Sequence, residues 1–138
     1  MSPRLDAAAR SCHPLRVGLF DKLFKPAPTV LPERVRDFAT FEKRVLDSEL
    51  PVIVDVWSAT CAPCKKLEPI LVDVATRYAG KVRVVEIGTA DTEPQLLAAL
   101  AVQATPTLIM YKGGEELGRV SGLRPSTWFD EMIAAEMS

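Results

Sequence analysis

Cys61 and Cys64 stand three residues apart, separated by Ala62 and Pro63, where an apolar run gives way to a stretch of helical periodicity. Two thiols at that spacing on the first turn of a helix can close a disulfide with little backbone movement. The unpaired amides and dipole of the helix favour a thiolate on the first sulfur. Such a pair suits a cycle between dithiol and disulfide better than a structural staple. Closing so short a loop is worth about 2 kcal/mol of chain entropy, against about 3 for fifteen residues. Asp55, six residues ahead of Cys61, is an acid inside an apolar strand. Burial raises a carboxyl's proton affinity, so Asp55 is suited to take the proton from Cys64 while that thiol attacks. Half a zinc site is the competing reading, with Cys12 and His13 completing it. Adjacent ligands across a proline-rich linker make that awkward. Covalent haem attachment needs histidine after the second cysteine, and Lys65 stands there.

The elements that must hold these residues follow from periodicity. Residues 51–57 form a continuous β-branched run, as expected of a strand covered on both faces. The helix after it, about residues 62–79, carries Leu67, Ile70, Leu71, Val74, Ala75 and Tyr78 on its inner side; Pro69 should kink it and Gly80 can end it. Phe38, Phe41 and Val45 give an earlier helix over about 38–48, closed by Pro51. Val82 to Ile87 reads as a second parallel strand and Pro94 to Leu100 as a short helix, a right-handed crossover. Thr107 to Tyr111 and about Glu116 to Ser121 make a hairpin across Lys112, Gly113 and Gly114. A last helix, Pro125 to Met137, offers Trp128, Phe129, Met132 and Ile133 for packing. The fold class is α/β.

Over about residues 35 to 137 the chain resembles the thioredoxin family. The resemblance is carried by Asp55, by Trp57 four residues ahead of Cys61, by Lys65 and Pro69, by Thr105-Pro106-Thr107, and by Gly114 and Gly122. It implies the thioredoxin fold, a central mixed sheet flanked by helices on both faces. It also implies protein-disulfide reduction, with Cys61 as nucleophile, Cys64 resolving the mixed disulfide and Asp55 as its proton acceptor. Thr105-Pro106 matches the family's cis-proline, opposite the cysteines, where Thr105 would present backbone groups to an extended substrate. Trp57, Thr60, Ala62, Pro63 and Gly122, with Leu123, would line the docking surface. No bound cofactor is implied: electrons would come from NADPH through a thioredoxin reductase-like flavoprotein and pass to disulfide-containing clients. Two departures bear on specificity. Thr60 replaces the family's usual tryptophan, and Ala62 replaces the usual glycine between the cysteines. A third concerns the lysine that the family pairs with its buried acid on the next strand. Ile87 aligns with it, and Glu86 is expected to face the other way.

With 138 residues, 48% of them hydrophobic, the chain allows one domain with a proper core plus an extension. We expect an extension over residues 1–32 and the domain over 33–138. The formal charge of −1 is unevenly spread. Residues 1–25 carry five basic residues against two acidic, and the remainder twelve against sixteen. The domain therefore has no basic face for nucleic acid. Three cysteines, two of them in one motif, make no disulfide framework, which suits a reducing, cytoplasmic setting. Residues 1–14 lack a signal-peptide core, but their arginines and serines leave organelle targeting as the alternative. No run approaches the ~18 apolar residues of a spanning helix. Leu15 to Phe24 has the spacing of a short amphipathic helix, open to a peripheral membrane contact or to packing on its own domain. Three prolines between Lys25 and Pro32 read as an extended linker. A monomer is expected. A client-specific or membrane-held reductant, or a non-enzymatic adaptor on the same fold, are the alternatives to a general reductase.

Overall fold

A computed structural model describes residues 28–138. The amphipathic stretch Leu15 to Phe24, Cys12 and His13 lie outside the described residues. Among the described residues, five strands and four helices follow in the order β1 (Glu33–Arg34), α1 (Phe38–Phe41, widening into π-type turns over Glu42–Leu46), β2 (Val52–Trp57), α2 (Ala62–Arg77), β3 (Arg83–Gly88), α3 (Pro94–Leu100), β4 (Thr107–Lys112), β5 (Glu115–Ser121) and α4 (Ser126–Met132, continued by Ile133–Met137). The sheet order is β1-β3-β2-β4-β5. β1, β3 and β2 run parallel, while β4 is antiparallel to both β2 and β5. This is the mixed sheet of the thioredoxin fold.

The sheet divides the core in two. Val52, Val54 and Val56 of β2, with Val85 and Ile87 of β3, meet Phe41 and Val45 of α1 and Leu96 and Leu100 of α3 on one face. Ile53, Val84 and Leu108 meet Leu67, Leu71 and Val74 of α2 and Phe129 and Ile133 of α4 on the other. β2 is buried from Val52 to Val56, which is why its sequence runs apolar without alternation. The β4–β5 turn places Gly113 at φ +61° and Gly114 at φ +81°, backbone that a side chain would strain. α2 keeps its helical span through Pro69. Asp37 caps α1 by accepting from the Thr40 amide at 2.7 Å.

Two features at the amino end were not foreseen. β1 adds to the free edge of β3 with only two residues. Just before it, Val30 packs on the α2–α4 side of the core, and its backbone exchanges hydrogen bonds with the Thr76 hydroxyl (2.9 and 3.4 Å).

Candidate active site

Cys61 is the N-cap of α2. Its backbone is extended (φ −98°, ψ 108°), and its sulfur accepts from the Cys64 amide at 3.2 Å. Pro63 falls in the first turn, where a missing N–H costs nothing because the first amides of a helix lack partners. The two cysteines are joined in a disulfide with their Cα atoms 5.3 Å apart. Their surroundings differ: Cys61 is half-buried and flanked by exposed Thr60, Ala62 and Pro63, whereas Cys64 is buried at 6% exposure.

Opposite the pair, the Thr105–Pro106 peptide is cis. The Thr105 carbonyl oxygen lies 3.4 Å from Cys61 Sγ. Two further contacts hold this loop. The Ser58 and Thr105 hydroxyls share a hydrogen bond of 3.0 Å, and the Gly122 amide donates to the Pro106 carbonyl at 2.8 Å. Gly122 has φ +93°, and Leu123 beside it is 39% exposed. The loop before Cys61, the cis-proline loop and the end of β5 thus form one surface around the disulfide.

Beneath it lies Asp55, 4% exposed in the middle of β2, with Oδ1 buried and unpartnered among the described residues. Desolvation is the main reason its carboxyl is pushed up to about 7, with the charges of Glu86 and Glu68 adding to it. Asp55, Trp57 and Cys64 line a common cavity of about 470 Å³. The Trp57 indole Nε1 is also buried without a partner among the described residues, and the Arg34 guanidinium lies 5.2 Å from the ring centre.

A thioredoxin family model matches residues 34–135. The chain belongs to the thioredoxin family. It is 37% identical over 95 residues to thioredoxin 1 of Nostoc sp., covering 69% of this chain and 88% of that protein. With the thioredoxin of Synechocystis sp. it shares 40% identity over 89 residues, 64% and 82% of the two chains. An alignment to the chloroplastic M-type thioredoxin of Spinacia oleracea is weaker, 27% identical, but takes in 99% of this chain and 75% of the relative. With its cysteine pair within disulfide distance, this member of the family is a thiol–disulfide oxidoreductase.

The thioredoxin surface gathers Trp57, Thr60, Cys61, Ala62, Pro63, Cys64, Thr105, Pro106 and Gly122 at one end of the sheet, with Asp55 below. One expectation is corrected. The neighbour of Asp55 on β3 is Glu86, not Ile87. In-register parallel strands keep side-chain parity. Asp55 therefore shares its face with Glu86, while Ile87 pairs with Val56 and is buried on the α1–α3 side. An acid, not an apolar residue, is the β3 neighbour of Asp55. Ser58 and Arg34 were missed altogether. Nothing local marks either residue, since the partner of Ser58 is 47 positions away and that of Arg34 is 52 positions away.

Proposed function

We propose that the chain is a general protein-disulfide reductase. Cys61 would attack a client disulfide as a thiolate, forming one intermolecular S–S bond and releasing one client thiolate. Cys64 would then lose its proton to Asp55 and attack Cys61 Sγ, expelling the second client thiolate. Two electrons pass to the client, and the protein is left with its disulfide. The observation that carries this reading is the asymmetry of the pair: Cys61 half-exposed at a helix N-cap, Cys64 buried beside a carboxyl of raised proton affinity. The Thr105 backbone at the sulfur supports docking of an extended client segment by main-chain hydrogen bonds.

In this reading the electrons originate in NADPH and arrive through a separate flavoprotein reductase, no cofactor is bound, and the protein acts as a monomer. Thr60 leaves the rim of Cys61 less apolar than a tryptophan would, which directs divergence to client choice. Insulin turbidity with dithiothreitol is the test. Acceleration by the wild type and none by Cys61→Ser is expected, and equal rates would refute the assignment.

For location we favour the cytoplasm, and one observation favours an organelle instead. The alignments to the chloroplastic thioredoxins of Spinacia oleracea and Oryza sativa run through the amino-terminal extension, covering 99% and 95% of this chain. Among the described residues no helix is long and apolar enough to cross a membrane. Intact mass of the natural protein, read together with cell fractionation, separates the two: a chain shortened within the first 32 residues and found in an organelle would establish the second.

A further inference from the structure

The register of the three parallel strands sets Arg34 of β1 opposite Glu86 of β3, and Glu86 opposite Asp55 of β2. A cation, an anion and a buried carboxyl thus form one row across the sheet, with adjacent strands about 4.8 Å apart. The row runs from the free edge to the middle and becomes drier on the way. Arg34 and Glu86 keep 37% and 22% of their side-chain exposure, and Asp55 keeps 4%. Arg34 donates to Glu86 Oε1 from Nε at 3.1 Å and contacts the same oxygen through a terminal nitrogen at 3.0 Å. Its other terminal nitrogen is 3.6 Å from Asp91. Arg34, Glu86, Asp55 and Cys64 all line the cavity under the disulfide.

We propose that Glu86, clamped by Arg34 at the sheet edge, is a positioning residue that acts through Asp55 to set the pH at which Cys64 becomes the resolving thiolate. The inference rests on the reading that Asp55 takes the Cys64 proton. Two carboxylates side by side in a dry site resist ionising together, so a charged Glu86 holds the proton on Asp55 to higher pH. Arg34 offsets part of that repulsion. Burial alone would push Asp55 in the same direction and is the larger cause, but the sign of the Glu86 contribution belongs to this chain, since a lysine at that place would act the opposite way. The other charged groups facing Asp55 come from α2, where Glu68 adds to the repulsion and Lys65 lines the same cavity. From β4 the facing residue is Leu108, which carries no charge.

The test follows the second of two thiol releases when the reduced full-length protein, in a Cys12→Ser background, reacts with 5,5′-dithiobis(2-nitrobenzoate) in a stopped-flow instrument. Cys61 takes up one aryl thiol and releases the other. Attack by Cys64 on Cys61 then frees the second, so its rate reports the resolving step alone. The midpoint of that rate against pH is expected to fall by about 1 unit in Glu86→Gln, to fall further in Glu86→Lys, and to rise in Arg34→Gln. Asp55→Asn is expected to remove the transition. Unchanged midpoints in the Glu86 and Arg34 variants, with Asp55→Asn still abolishing the transition, would overturn the proposal and leave the underlying reading intact. Shifts of the same sign in Glu86→Gln and Arg34→Gln would overturn it as well, since a general packing defect does that and a charge effect does not. A wild-type profile in Asp55→Asn would overturn the underlying reading and the proposal together.

Discussion

The Cys64 amide donates to Cys61 Sγ over 3.2 Å, so the first cysteine caps the helix that carries the second. That single bond ties reactivity to architecture. The sulfur best placed to be a thiolate is the one at the amino end of α2, and its partner is fixed one turn inside, out of solvent. A thiolate at an N-cap gains from both the free amides and the helix dipole.

Removing the inner thiol should therefore stop the cycle halfway. With Cys64→Ser, Cys61 attacks a client but nothing expels it, and client proteins accumulate as mixed disulfides through Cys61. Mass spectrometry of alkylated lysates checks this, with Cys61→Ser expected to trap none.

Asp55 should destabilise the protein at alkaline pH. Its folded carboxyl is raised to about 7 from 3.8. The folded state therefore binds the proton more tightly than the unfolded state, and stability falls as pH rises between those values. Below about pH 4 the penalty is absent, and above about 7 it is complete, on the order of 4 kcal/mol. Urea unfolding of the oxidised protein should show Asp55→Asn to be more stable than the wild type at pH 8, and close to it at pH 4.

Gly88 is the contact that seats Trp57. A Cβ at this position would stand 2.8 Å from the indole Cζ2 and 2.8 Å from Asp91 Oδ1. The carboxylate can swing away, but the ring is wedged under Arg34. Gly88→Ala should displace the indole, change the tryptophan emission and lower stability by about 1–3 kcal/mol. Slower insulin reduction is expected with it, because Trp57 walls the cavity that holds Asp55 and Cys64.

The core between α2, α4 and the sheet is filled by Phe129, fully buried and edge-on to Trp128 with ring centres 5.1 Å apart. Phe129→Ala should cost about 3–5 kcal/mol, read by urea unfolding. Because Phe129 does not line the cavity shared by Asp55 and Cys64, an unchanged insulin-reduction rate is expected at 25 °C in the absence of denaturant.

Much of this molecule is written locally. The cysteine pair at a strand-to-helix junction, the helical spacing of Leu67, Leu71 and Val74, and the glycines of the β4–β5 turn each state their structure within a few residues, and each is found as expected. The thioredoxin resemblance added what no window contains, the opposition of Thr105-Pro106 to the cysteines across the fold.

What the chain alone could not specify was who stands beside whom in the parallel sheet. β2 is buried on both sides and β3 over most of its length, so their sequences show little of the alternation that would reveal facing. Shifting the pairing by one residue exchanges Glu86 for Ile87 beside Asp55, and nothing in the local sequence forbids the shift. A two-residue strand carries no period either, so Arg34 was invisible until the open edge of β3 recruited it. Local patterning decided which residues do the chemistry. Strand register, a property of the packed sheet, decided the charges around the buried acid beneath them.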